Sequence, residues 1–137
     1  MINDTLTTEL FWLTLTVAMT ALMWVPYILN RLVEQGPGKA LWDPMGDKFT
    51  HVAWARRMMQ AHQNAIENLA IFAPLVLILH VTNMNSAYTS LACAVYFYAR
   101  VAHYLVYSFG IPALRTPIFA IGFAAQLVLI LTLLNIV

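Results

Sequence analysis

The sequence predicts an all-α integral membrane protein, a bundle of four transmembrane helices, and three observations carry that prediction. Of its 137 residues 61% are hydrophobic and only 9% charged, with a mean hydropathy of +0.72, against roughly 25% charged in an average soluble domain. Four apolar stretches reach the ~20 residues that cross a ~30 Å hydrocarbon core, leaving little chain for anything outside a membrane. The turn formers and most charges gather between those stretches. This composition excludes a soluble globular domain and implies a single membrane domain. A net charge of +1 without a cluster of Lys and Arg excludes nucleic-acid binding by phosphate neutralisation. The single cysteine, Cys93, has no partner for an intramolecular disulfide and lies in an apolar run, as a small packed side chain does.

The first helix is expected over 7–30. Its apolar run, 10–29, lies between Glu9 and Arg31 and holds Pro26, which membrane helices tolerate; it is too long for a signal h-region, and no positive n-region precedes it. From Asn30 to His51, Glu34, Gly36-Pro37-Gly38, Lys39, Asp43-Pro44 and Gly46-Asp47-Lys48 make the only real loop. The second helix, 52–81, would be ~45 Å long at 1.5 Å per residue, longer than the membrane is thick, so its polar front half must protrude or be shielded. A tight turn at Asn83-Met84-Asn85-Ser86 leads into the third helix, 87–109, interrupted by Arg100 and His103. Gly110-Ile111-Pro112 breaks it, and the fourth helix, 114–136, carries Gln126 as its only strongly polar interior residue. Gly122 with Ala125 lets a neighbouring helix approach closely.

Orientation follows from Lys and Arg near the helix ends. Arg31, Lys39, Lys48, Arg56 and Arg57 lie between the first two helices and Arg115 flanks the last connection, while the N-terminus, the 83–86 turn and the C-terminus carry none. Both termini are therefore expected on the non-cytoplasmic side. Trp24, Trp42 and Trp54 fall near the inner interface and Trp12 near the outer one, as an aromatic belt places them. A short chain of this kind, with no targeting signal, suggests a bacterial inner membrane.

Three charges stand apart from the ends: Glu67, Arg100 and Arg115. Glu67 and Arg100 are expected roughly 9 Å inside the hydrocarbon boundary, where an ionised group costs about 2.5–3.5 kcal/mol and faces the bundle interior. Arg57, Gln60, Asn64 and Glu67 form one stripe of the second helix, and Arg100, His103, Tyr104 and Tyr107 one stripe of the third. Two readings fit. In the first, the stripes are structural glue: Arg100 pairs with Glu67, while Asn64, His103 and Tyr107 satisfy one another. In the second, Arg31, Arg57, Arg100 and Arg115, facing one carboxylate, await an anionic ligand held by guanidinium forks. His62 suits a helix–helix hydrogen bond and His80 an interfacial position. The histidines show no metal-ligand spacing.

The segment Arg57-Met-Met-Gln-Ala-His-Gln-Asn64-Ala-Ile-Glu67-Asn resembles the second-helix signature of the membrane-associated proteins in eicosanoid and glutathione metabolism, MAPEG. Tyr98-Ala-Arg100-Val-Ala-His103-Tyr-Leu-Val-Tyr107 looks like the third-helix motif, and Leu114-Arg115-Thr116 like the start of the fourth helix with its catalytic-type arginine. The resemblance covers essentially the whole chain. It implies a four-helix protomer, a homotrimer, and glutathione as cosubstrate bound between protomers in the cytoplasmic half of the membrane. Arg115 would favour the thiolate for attack on a lipophilic electrophile or peroxide, with Arg31, Arg57, Asn64, Glu67, Arg100, His103, Tyr107 and Thr116 lining or supporting the site. Several family members carry arginine and tyrosine where this chain has Gln60 and Phe119, which weakens glutathione binding or orientation. Because the family includes a non-enzymatic lipid binder, the alternative is a membrane scaffold or lipid-binding subunit of a larger membrane complex.

Overall fold

The computed structural model describes residues 5–42 and 52–137. Asp4, the expected turns at Asp43-Pro44 and Gly46-Asp47-Lys48, and His51 lie outside the described residues. The rest is helical: α1 (Thr8–Leu22), α2 (Val25–Gln35), α3 (Pro37–Leu41), α4 (Ala53–Val81), α5 (Ala87–Ser108) and α6 (Pro112–Leu133). Three of these segments are long and apolar enough to cross a membrane: Thr8–Gln35, Ala53–Val81 and Pro112–Leu133. Helix α5 has the length, but its tyrosines, Arg100 and His103 lower its hydropathy.

The first helix, expected over 7–30, consists of two pieces and extends further. The chain turns at Met23 and Trp24, and the helix resumes and runs to Gln35. Proline explains the break: Pro26 has no N–H to donate to the Leu22 carbonyl, and its ring crowds that turn. Nothing between Arg31 and Gln35 stops the second piece, so part of the expected loop is helix. Gly36, with φ +79°, ends it, and Pro37 starts the one-turn α3.

Helix ends elsewhere are set by local chemistry. Thr7 caps α1 by accepting the Leu10 N–H at 3.3 Å. Ser86 and Thr89 cap α5 reciprocally: Ser86 Oγ accepts the Thr89 N–H at 3.2 Å, and the Ser86 N–H donates to Thr89 Oγ1 at 2.8 Å. Helix α4 stops in a left-handed residue, Asn83 (φ +56°), where the Asn83 and Met84 N–H groups reach back to the His80 and Leu79 carbonyls. Gly110 (φ +72°) ends α5 by the same paired bonds to Tyr107 and Val106.

Helix α5 packs against α1, α4 and α6. The shared core includes Leu13, Phe72, Val76, Cys93, Tyr96 and Leu129, with the Phe72 and Tyr96 rings stacked at 3.8 Å. Cys93 is free and buried within it. On α6, a methyl group in place of the Gly122 hydrogen would stand 3.7 Å from Ala99 Cβ, an ordinary contact distance, so the approach of α5 and α6 does not require glycine there. The large apolar residues Leu22, Ile71, Leu77, Leu91, Phe123 and Leu134 face outward, while Glu9, Thr16, Thr89, Arg100, His103 and Gln126 are buried. Polar groups inside and apolar groups outside are the distribution a hydrocarbon solvent demands.

Candidate functional site

The two polar stripes meet where α4 crosses α5, but not in the pairs the sequence suggests. Arg100 is 3% exposed, and its Nη2 donates to Asn64 Oδ1 at 2.7 Å. The Arg100–Glu67 ion pair of the glue reading is not formed. Glu67 is exposed and accepts from Gln63 Nε2 at 3.2 Å on its own helix. The reason is angular: three residues at 100° each leave Glu67 about 60° round the helix from Asn64, and it is Asn64 that faces α5. Asn64 and Tyr107 do not satisfy His103 either. His103 is buried against the rings of Tyr107 (5.6 Å) and Phe119 (6.1 Å), and its Nδ1 has no hydrogen-bond partner among the described residues.

Behind Asn64 the polar chain continues into α6. Asn68 Nδ2 donates to the Asn64 carbonyl at 2.9 Å, and Gln126 Nε2 donates to the Asn68 carbonyl at 3.2 Å. This gives Gln126 a structural role: a buried amide joins α6 to α4. Tyr104, on the α5 stripe in sequence, points elsewhere and donates to the Met23 carbonyl at 2.9 Å. That carbonyl lies at the turn between α1 and α2. The Tyr27 hydroxyl bonds His62 Nδ1 at 2.7 Å, the helix–helix contact expected of His62.

A second cluster forms at the start of α6. Arg57 Nε donates to the Ser108 carbonyl at 3.0 Å, and its guanidinium lies so close to Gly110 that a methyl group there would be 3.0 Å from Cζ. The Tyr107 hydroxyl donates to Gln60 Oε1 at 2.9 Å, and its ring lies under Arg115, whose Cζ is 5.1 Å from the ring centroid. Arg57, Tyr107, Gly110, Ile111, Pro112 and Arg115 line a pocket of about 170 Å³. Among the described residues, no carboxylate lines it. Arg115 occupies the first turns of α6, where the positive end of the helix dipole adds to two guanidinium groups, so the pocket suits an anion.

The structure thus brings Arg57, Tyr107 and Arg115 together, and places Arg100 and Asn64 in the adjoining interior. Thr116 is exposed beside Arg115 but does not line the pocket, and neither does Arg31, half-buried on α2. No three His, Cys, Asp or Glu side chains among the described residues are grouped to hold a metal ion.

Sequence reasoning missed one buried charge. Glu9 is 2% exposed at the opposite end of the bundle, where Thr89 Oγ1 donates to its Oε1 at 2.6 Å. Its place in the first turn of α1 was visible, but the hydroxyl that receives it is 80 residues away.

The model of the MAPEG family matches this chain over residues 10–135. No curated protein and no solved structure matches it.

Proposed function

The chain belongs to the MAPEG family, and from that premise we propose that it is a glutathione-binding integral membrane protein, a transferase or peroxidase acting on lipophilic electrophiles or hydroperoxides. The observation that carries this is the pocket at the start of α6, in which Arg57 and Arg115 face one space that no carboxylate among the described residues lines. Glutathione brings carboxylates and a thiol. A guanidinium beside the thiol stabilises the thiolate relative to its unperturbed pKa of about 8.5. The thiol proton leaves to water, sulfur forms a bond to the electrophilic carbon, and the leaving group departs with the displaced electron pair. Arg115 is assigned the thiolate and Arg57 a carboxylate, with Tyr107 and Thr116 beside them. Asn64, Arg100 and His103 support the wall.

Ligand sites usually enclose about 300–1,000 Å³, so the ≈170 Å³ pocket of one protomer is too small for a tripeptide. This supports a site completed by a neighbouring copy in a homotrimer, to which the exposed Glu67 and the more distant Arg31 would contribute. We further propose that α5 spans the membrane together with the three apolar segments, in a bacterial inner membrane, with lipid around the bundle and both termini on the non-cytoplasmic side.

Addition of millimolar glutathione near neutral pH to the protein in nanodiscs should produce thiolate absorbance. Arg115→Ala should abolish it and lower conjugation of an aromatic electrophile tens-fold, with helix content unchanged. One observation favours a second reading: Arg100 is engaged inside the protomer by Asn64, as structural glue would be. If wild-type protein shows neither thiolate absorbance nor conjugation, the chain is a scaffold or lipid-binding subunit of a larger membrane complex.

A further inference from the structure

Gln60 lies one turn after Arg57 on α4, is exposed, and does not itself line the pocket. Its hydrogen bond crosses between helices: Gln60 Oε1 accepts the Tyr107 hydroxyl at 2.9 Å, joining α4 to α5 across 47 residues. The face of that tyrosine carries the Arg115 guanidinium, with Cζ 5.1 Å from the ring centroid. His103 packs against the same ring, with centroids 5.6 Å apart. The ring is therefore bounded by a neighbour on α5 and tethered at its hydroxyl by α4.

Arg115 has a long, exposed side chain, and a cation resting on an aromatic face at an exposed site is held only weakly. Where its charge resides then follows the orientation of the ring. A tyrosine has two side-chain torsions, and fixing its hydroxyl restrains both. Arg57 does a different job, because its Nε binds the Ser108 carbonyl and holds the turn backbone.

We infer that Gln60 is a positioning residue for Arg115: by accepting the Tyr107 hydroxyl it sets the aromatic face on which the guanidinium rests, and so fixes where positive charge enters the pocket. The geometry stands by itself; its consequence for thiolate formation rests on the glutathione reading above.

The test uses the full chain in nanodiscs with isotope-labelled arginine. The δ-methylene resonance of Arg115, identified by its loss in Arg115→Lys, should be displaced by the Tyr107 ring current. Tyr107→Leu should remove the displacement. Gln60→Met, of similar length but without an acceptor, should halve it or more, Tyr107→Phe should do the same, and the double variant should do no more than either, as expected of two residues acting through one bond. Gln60→Glu, which keeps an acceptor, should retain it. With glutathione, Gln60→Met should move the midpoint of thiolate absorbance to higher pH and lower kcat several-fold, with KM changed less than twofold. An Arg115 resonance that ignores Gln60→Met, effects of Gln60→Met and Tyr107→Phe that add, or loss of the displacement in Gln60→Glu would each overturn the inference. A resonance that responds as described in protein giving no thiolate absorbance would remove the glutathione reading and uphold the positioning role.

Discussion

Arg100 shows how little a helical wheel says about partners. Its burial was legible, because an arginine in an apolar run has nowhere else to go. Its partner was not: Asn64 and Glu67 share a stripe in sequence, and only the crossing of α4 and α5 selects the amide over the carboxylate. Charge attraction favours a carboxylate, yet Asn64 offers a 2.7 Å acceptor already aimed at α5. Asn64→Leu should therefore destabilise the protomer by about 1.5–3 kcal/mol, the range for a hydrogen bond to a charged group, read as the midpoint of denaturation in detergent. An unchanged midpoint would mean that Arg100 finds another acceptor. In the second cluster, Arg57, Tyr107 and Arg115 were legible as residue types, and their spacing placed them at one end of the bundle. Their union depends on the left-handed turn at Gly110, whose Arg57 neighbour lies 53 positions earlier in the chain.

At the scale of elements, the ends of α4 and α5 were visible because they are written locally, in Asn83, Ser86 and Gly110. The expected start of the last helix, residue 114, lies two residues inside α6, since Pro112 already occupies its first turn. Pro26 was equally visible, but its consequence was not, since membrane helices often carry proline as a mild bend. Here the chain turns at Met23, and the Met23 carbonyl accepts the Tyr104 hydroxyl at 2.9 Å. Tyr104→Phe should cost about 1 kcal/mol, the net value of one such bond, whereas the same change in Pro26→Ala protein should cost less, because a continuous helix satisfies that carbonyl itself. A thermal-shift double-mutant cycle measures the difference. Helix α5 is the element whose composition least resembles a membrane span. Tyr96, Arg100 and His103 are tolerated because α1, α4 and α6 pack around the helix and bury them, so this polar side meets protein rather than lipid, while Tyr88 and Tyr98 stay exposed.

Among the described residues, large apolar side chains such as Ile71, Leu77 and Phe123 face outward while Arg100, His103 and Gln126 lie inside beside the apolar core, and that surface says which solvent the molecule meets before its topology is known. The number of spans decides where the end of α6 emerges. With α5 spanning, residue 38 and residue 137 lie on opposite sides; without it they share one. Cysteines introduced by Gly38→Cys and Val137→Cys in sealed vesicles should be labelled from opposite faces by an impermeant maleimide, residue 38 from the cytoplasmic one, while Cys93, buried in the core, should stay unlabelled until the protein is denatured.

The interruption at Met23 and Trp24 also makes the first membrane segment two mechanical links. Thr8–Leu22 is fastened at its start by Glu9 to Thr89, and Val25–Gln35 is fastened separately by Tyr27 to His62. Drawn out of a bilayer by its N-terminus on a cantilever, this segment should resist twice, with a first rupture as 15 helical residues leave and a second as the following 11 give way. His62→Ala should lower the second force peak and spare the first, and Thr89→Val should do the reverse.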